Sequence, residues 1–483
     1  MGDDCRRRHG AGDGGVDRIS GLPDDLLRRI LLRLRSTRAA ARTSVLSRRW
    51  RRVWPHMPDI RLGTCDDPHP GATRLDSVDA ALAAYDAPAA RRLDVAMHCH
   101  GLRVRARQVA PWLRFASERR VAKLNIELPS QTRFLFVRRR RADATELEEE
   151  LELPVWDEAK RITLTLEQRW RLRRRPAGVF TALTDLYISL ATMEARELGD
   201  LVSLQCPLLR NLYLFVTLVA ASNVSIRSDS LRSLLFRVEN AQRLEVVAPN
   251  LEELTVSDAT EAHVSAPKLS EVTWYGDIAY DPRRHCIADA GRHLRLLDLG
   301  SKCVVASLLQ RFDKVDVLKL TLNLCDQTQR QGYTSFVNET TKLPECETLR
   351  LRVTLGDYYH NLASSMLHLL RSCNSTRKLS VKVDSGLPMQ RYSCLLSCHC
   401  RLPESCKADD ITLDALEEAK ITFIRSSYEE VQFVEQLAGC HAPSLKKLVI
   451  NCERWSDGPP TKEIQEKVRR MFLPDVEVKF NVT

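Results

Sequence analysis

Leu209-Arg210-Asn211-Leu212-Tyr213-Leu214 and Leu251-Glu252-Glu253-Leu254-Thr255-Val256 share one pattern, apolar-x-x-apolar-x-apolar. The closing residues alternate, which is the period of a strand with one face buried. The same pattern starts at Leu183, Leu231, Leu269 and Leu294, giving successive steps of 26, 22, 20, 18 and 25 residues. Looser copies precede these at Leu93-Asp94-Val95, Leu124-Asn125-Ile126 and Ile162-Thr163-Leu164. Others follow at Leu318-Lys319-Leu320, Leu349-Arg350-Leu351, Leu379-Ser380-Val381, Ala419-Lys420-Ile421 and Leu448-Val449-Ile450. One such strand cannot bury its own apolar face, so the array makes physical sense only as a stack.

Repetition at this period is the signature of leucine-rich repeats. It predicts an α/β fold in which a curved solenoid carries a parallel concave sheet. Val109 to Glu118 and Tyr428 to Leu437 are amphipathic and are expected as convex-side helices. Pro207, Pro249, Pro267, Pro344 and Pro443 recur shortly before strands, where they end the preceding segment. Between the strand leucines, Asn211, Tyr213, Thr255, Thr273, Tyr275, Arg350, Arg352 and Lys382 are expected on the outward face. That face is where a solenoid binds a partner, although most such positions in any solenoid are simply solvated.

A second stretch, Asp17 to Trp54, has a different character. Pro23 suits the start of a helix, and Asp24 and Asp25 suit its first turn, where carboxylates meet the positive end of the helix dipole. Leu22, Leu26, Ile30 and Leu34 follow at spacing four, widened by Leu27 and Leu31. Thr37 to Thr43 reads as a second short helix, and Val45, Leu46, Trp50, Val53 and Trp54 as a third apolar face among arginines. Three short helices bury too little surface to stand alone, so a leftover apolar face should pack on another protein. A membrane-lying basic helix is the rival reading, and the two first-turn aspartates count against it.

Leu22-Pro23-Asp24-Asp25-Leu26-Leu27 together with Leu46-Ser47-Arg48-Arg49-Trp50-Arg51-Arg52-Val53-Trp54 resembles the plant-type F-box. The resemblance implies docking onto the Skp-family adaptor of a Skp–Cullin–F-box ubiquitin ligase. The contact residues it implies are Leu22, Pro23, Leu26, Leu27, Ile30, Val45, Leu46 and Trp50, some of which must instead form the module's own core. Trp54 is expected in that core. Residues from Cys406 onward resemble the FBD-type C-terminal region of plant F-box/leucine-rich-repeat proteins, through Leu416-Glu417-Glu418-Ala419-Lys420-Ile421 and Ala442-Pro443-Ser444-Leu445. The expected order is a disordered tail (1–15), the small three-helix F-box (16–60) and a linker with a first helix (61–89). Irregular repeats (90–393, with an insertion near 138–156), a Cys-rich loop (394–405) and FBD-like repeats (406–483) complete it.

Composition narrows the function. A hydrophobic content of 44% with 28% charged residues is ordinary for a folded soluble chain. The longest apolar run, Leu212 to Ala221, is only ten residues and holds Tyr213 and Thr217, so no membrane span is expected. Residues 1–15 hold acids, arginines and glycines in place of an apolar signal core, so a cytoplasmic or nuclear location, or both, is expected. Residues 1–60 hold 14 arginines against 7 aspartates with no lysine or glutamate, or +7 of the total +10. The repeats therefore carry only +3, which disfavours a nucleic-acid groove. Arg138 to Arg141 and Arg171 to Arg175 match simple nuclear-import runs but read more plainly as solvated loops.

Fifteen cysteines without a signal peptide read as reduced thiols. Cys394, Cys398, His399, Cys400 and Cys406 offer enough ligands for zinc, but their spacing is that of no common zinc ribbon, so a structural loop is expected with no metal or cofactor. No Gly-rich phosphate loop, His-Glu-x-x-His or Gly-x-Ser-x-Gly occurs, and His98, His100, His360 and His368 are scattered. No catalytic residues are expected. The resulting reading is a substrate-recognition subunit that docks an adaptor, and through it a cullin–RING ligase, while the repeats hold a protein substrate. The alternative is a leucine-rich binding scaffold outside any ligase, for protein, small ligand or nucleic acid.

Overall fold

The computed structural model describes residues 19, 21–63, 74–97, 104–129, 149–276, 278–300, 306–324, 343–355, 358–359, 369–372, 374–384, 392–393, 411–423, 428–452 and 462–482. The chain divides into one unit of residues 1–139 with 161–163 and a second of residues 140–160 with 164–483.

The first unit opens with α1 (Asp24–Arg33), α2 (Thr37–Arg42) and the single turn α3 (Trp50–Val53). Pro23 sits just outside α1 with extended backbone, and its carbonyl accepts from Leu26 and Leu27. Ser36 caps α2 by accepting the Ala39 amide at 3.3 Å. Next come β1 (Asp59–Gly63), α4 (Arg74–Ala83), β2 (Arg92–Ala96), α5 (Ala106–Glu118) and β3 (Lys123–Glu127). The three strands are parallel, aligning Ile60 with Leu93 and Leu124, and Leu62 with Val95 and Ile126. Helix α5 buries Val109, Trp112, Leu113 and Ala116 as its amphipathic pattern predicts. The Trp112 indole donates to Asp79 of α4 at 2.7 Å.

The helical module is continuous with this sheet. The Arg61 amide donates to the Thr37 hydroxyl at 2.7 Å, and the Tyr85 hydroxyl lies 3.0 Å from the Met57 and Ala89 carbonyls. Asp59 is buried between Arg91 at 2.7 Å and Arg61 at 3.3 Å. Burial alone would raise its pKa, but the hydrogen bond and charge of Arg91, joined by Arg61, outweigh that and hold the carboxyl below its ordinary value.

The second unit runs through β4 (Glu149–Leu153), β5 (Arg161–Thr165, which falls across the division), β6 (Trp170–Arg174), β7 (Asp185–Met193), α6 (Ala195–Ser203), β8 (Asn211–Arg227) and β9 (Ser233–Val247). It continues with β10 (Glu253–Ser257), β11 (Glu261–Ser265), β12 (Glu271–Tyr275), β13 (His285–Ala288), β14 (His293–Leu299), α7 (Ala306–Leu309), β15 (Lys314–Leu324) and β16 (Glu345–Leu355). Last are β17 (Tyr358–Tyr359), β18 (Lys378–Asp384), β19 (Tyr392–Ser393), β20 (Glu418–Phe423), α8 (Tyr428–Gly439), β21 (Lys447–Cys452), α9 (Lys462–Met471) and β22 (Glu477–Val482). Every strand expected from the repeat pattern is present.

Parallel pairing in the order β7-β8-β9-β10-β12-β14-β15-β16-β18-β20-β21-β22 makes one large open sheet. Its register stacks like on like: Leu186, Leu212, Leu234, Leu254, Val272 and Leu297 form one buried row. Ile188, Leu214, Phe236, Val256, Trp274 and Leu299 form the next. The prolines have a sharper role than ending a segment. In Cys206-Pro207-Leu208-Leu209, Ala248-Pro249-Asn250-Leu251, Ala266-Pro267-Lys268-Leu269 and Ala442-Pro443-Ser444-Leu445, the final leucine amide donates to the first carbonyl. Each is a four-residue turn with proline second, where its fixed φ is already correct.

The opposite side of the stack is not uniformly helical. Where repeats shrink to 20 and 18 residues, the return path is a strand. The second half of β9 pairs with β11, and β11 with β13, in a second parallel ladder. A strand advances more than twice as far per residue as a helix, which suits the shortest repeats, and the 22- and 25-residue steps beside them return through strands as well, in the second half of β8 and in β13. The 26-residue step from Leu183 holds α6 instead. Gly199 of α6 meets β8 so closely that a Cβ there would stand 2.8 Å from the Ser225 carbonyl oxygen. The run Arg171 to Arg175 is also not a loop: Arg171–Arg174 belong to β6, which pairs with β4. Arg173 reaches Glu150 at 3.3 Å and Arg175 reaches Glu152 at 3.2 Å, while Arg174 holds Asp200 of α6 at 2.8 Å. The arginines of β6 and the glutamates of β4 thus neutralise each other across neighbouring strands, while Arg138 to Arg141 lie outside the described residues.

Phe236 is fully buried in the second apolar row. Phe236→Ala is expected to cost about 3–5 kcal/mol, seen as a lower urea midpoint, whereas exposed Arg283→Ala should change stability by less than about 0.5 kcal/mol.

Candidate protein-docking surfaces

The helical module sorts its apolar residues into two sets. Leu27, Leu31, Ala40, Trp50, Val53 and Met57 form its core, with Leu22 and Trp54 half-buried against it. Leu26, Ile30 and Leu34 are 39%, 40% and 44% exposed, although they carry the most regular apolar spacing in the segment. They share one face of α1, turned away from the core. Val45 and Leu46, in and after the turn Thr43–Val45, are 83% and 66% exposed. Pro23 is exposed as well. Of the eight residues expected at an adaptor contact, Leu27 and Trp50 are therefore core, Leu22 is half-buried, and Pro23, Leu26, Ile30, Val45 and Leu46 face outward. Arg49 fixes the entry to α1, bonding Asp24 at 2.7 Å and the Leu22 carbonyl.

The outward face of the large sheet changes character along its length. Near β7 and β8 it is aromatic: the Tyr187 and Tyr213 rings stack at 4.2 Å, and Arg237 lies over the Phe215 ring at 4.5 Å. Tyr275 is half-buried on the same face, and burial pushes its hydroxyl up, more than the nearby Arg237 lowers it. Farther on the face becomes basic, with Arg350, Arg352 and Lys420 exposed and Lys382 half-exposed. All eight positions expected to face outward do so.

Among the described residues, no group of His, Cys, Asp and Glu is arranged to hold a metal. Cys394, Cys398, His399, Cys400 and Cys406 lie outside the described residues, as do His98, His100, His360 and His368. The buried His285 has a structural setting: its Nδ1 accepts the Asp281 amide at 2.8 Å and its Nε2 donates to the Ala259 carbonyl at 3.1 Å. Trp274 and Tyr280 pack beside it. Burial lowers its pKa, so the ring is held neutral with both nitrogens used.

The architecture is a small helical module followed in sequence by a parallel repeat sheet. Residues 19–61 match the F-box domain family, and residues 109–274 match the family described as "FBD-associated F-box protein At5g56370, LRR repeats". Similar proteins from Arabidopsis thaliana include F-box protein At5g03100, 35% identical over 121 residues, covering 25% of this chain and 36% of the relative. F-box protein At1g60400 is 54% identical over 54 residues, 11% of this chain and 13% of the relative. F-box/FBD/LRR-repeat protein At5g18770 is 52% identical over 56 residues, 12% and 11% of the two chains. The matched region spans about a third or less of the length of these relatives. The chain thus carries an F-box followed by a leucine-rich-repeat region, and over these stretches it is similar to F-box and FBD-associated F-box proteins of Arabidopsis thaliana. Among the described residues no helix is long and apolar enough to cross a membrane.

Two outcomes follow for the residues placed above. Leu27→Ala should destabilise the helical module by about 2–5 kcal/mol, while Leu26→Ala and Leu46→Ala stay within about 0.5 kcal/mol, read by thermal denaturation. For His285 the unfolded chain binds a proton that the folded chain refuses. Its stability contribution is therefore fully present above a pH of about 6.5 and falls as pH drops below it. Urea midpoints between pH 7 and pH 5 should decline in the parent and decline less in His285→Phe.

Proposed function

We propose that this chain is the substrate-recognition subunit of a Skp–Cullin–F-box ubiquitin ligase. The observation that carries the reading is the apolar set Leu26, Ile30, Val45 and Leu46, left in water by a module whose core is already closed. Exposed leucine and isoleucine on one helix face suit a helix-packing partner, which for an F-box is the Skp-family adaptor. Pro23, Leu26, Ile30, Val45 and Leu46 are assigned to that contact, with Leu22 at its margin. Leu27 and Trp50 act by shaping the module. The repeats hold a protein substrate, and the chain contributes proximity by keeping substrate lysines near a thioester carried elsewhere in the assembly. The buried free thiol of Cys206 suits work in the cytoplasm or nucleus.

Co-expression with a Skp-family adaptor tests the assignment. The parent should co-purify with it, and Ile30→Asp or Val45→Glu should weaken capture at least tenfold, about 1.4 kcal/mol, without shifting the thermal midpoint. Adaptor capture unchanged in both variants would refute the docking face. No capture by the folded parent, with retained binding to other partners, would favour the scaffold reading.

A further inference from the structure

We propose that the outward face of β15, β16, β18 and β20 binds a carboxylate-rich segment of the protein substrate. The proposal rests on the receptor reading above and adds the chemistry of what is received. In the parallel register, Lys319 stands beside Arg350 on the next strand, and Arg352 beside Lys382. Adjacent strands lie about 4.8 Å apart, so each pair sets like charges side by side, which costs stability in the free protein. Lys420 continues the first row one strand beyond Ser380.

The row immediately alongside, uncharged at Val317 and Thr348 on β15 and β16, is built the opposite way from β18 to β22. There Lys378, Glu418, Lys447 and Glu477 alternate in sign across the ladder, and Lys447 bonds Glu418 at 3.1 Å. Lys319 is balanced by Asp298 at 3.4 Å. Arg350, Arg352 and Lys420 are exposed and have no acidic partner among the described residues. A sheet that neutralises one row and leaves its neighbour cationic is complementary to an anion laid across it. Carboxylates bridging two strands would relieve the repulsion and form charge-assisted hydrogen bonds with the guanidinium forks.

The same rows turn aromatic toward β8, where Tyr213 and Phe215 take the equivalent register and Arg237 lies over the Phe215 ring. Six strand spacings separate Tyr213 from Arg350, about 29 Å, which an extended chain of about nine residues spans. The matching segment has an aromatic or apolar group about nine residues from an acidic run. A short carboxylate run is preferred to a phosphodiester backbone because the exposed cations are confined to β16–β20, while farther along the same rows Asp298, Tyr213 and Phe215 give a continuous polyanion little to pair with.

The test uses the full chain and a fluorescein-labelled peptide of about sixteen residues, with a Leu-Phe pair about nine residues from four glutamates. Anisotropy should show saturable binding that weakens as salt rises from about 0.05 to about 0.3 M. Arg350→Glu and Lys420→Glu should each weaken it about fivefold or more, while Arg283→Glu, an equal charge change on a distant turn, leaves it within about twofold. Thermal midpoints of Lys420→Glu and Arg283→Glu should match the parent, and that of Arg350→Glu should match it or rise as the repulsion with Lys319 is relieved. Equal affinity for a peptide with glutamines in place of the glutamates overturns the proposal. So does indifference to Arg350→Glu and Lys420→Glu, binding only by a phosphoserine version, or tighter binding of a single-stranded oligonucleotide of equal charge. Adaptor capture is measured on the same preparations: intact capture without charge-dependent peptide binding sinks this inference alone, and the reverse result sinks the receptor reading alone.

Discussion

The second unit depends on one constraint: no repeat can bury its own apolar face, so each strand must lie in register on the next. The row from Leu186 through Leu297 is that constraint made visible, with like residues aligned across parallel strands. A one-residue slip anywhere would turn an apolar row into solvent and an outward row into the core. The repeated turn with proline second and leucine fourth guards against this, because it delivers β8, β10, β12 and β21 at the same phase. The outward face is consequently a ruled surface, on which sequence position translates directly into place. That regularity is what gives meaning to a row of arginines and lysines.

The strands were legible in the sequence because a period of two with one buried face leaves a strong signal even in short copies. The return path was less legible. Glu261-Ala262-His263-Val264-Ser265 carries the same alternation but only two apolar residues, both small, so it reads as a connection. Its strand character comes from its neighbours: β9 on one side and β13 on the other supply the pairing that the segment does not advertise. The arginines of β6 were hidden for a related reason. A basic run looks solvated until the glutamates of the adjacent strand, some twenty residues away in sequence, are seen to face it.

The helical module teaches the converse lesson. The spacing of Leu26, Ile30 and Leu34 is clean, and period alone marks those residues as sharing a face without saying which side of that face is protein. The core is instead built by the adjacent pair Leu27 and Leu31 with Trp50, Val53 and Met57. In an isolated domain the cleaner stripe would be the buried one. Here both stripes are apolar because each packs on protein, one within the chain and the other, on the reading proposed, outside it.

Charge separates the two surfaces by the same logic. Most of the excess positive charge falls in residues 1–60, and an overall count assigns the repeats almost nothing. Yet a near-neutral total conceals a sheet in which one row alternates and the next does not. Net charge governs long-range steering, which salt screens within about 8–10 Å, whereas a ligand in contact responds to charges within a few ångströms. The Lys319–Arg350 and Arg352–Lys382 neighbours therefore matter more for recognition than the sum over the chain. A protein that places matched pairs one row away shows that the exposed charges of Arg350, Arg352 and Lys420 are not forced by the fold, and what binds there is the simplest reason for keeping them.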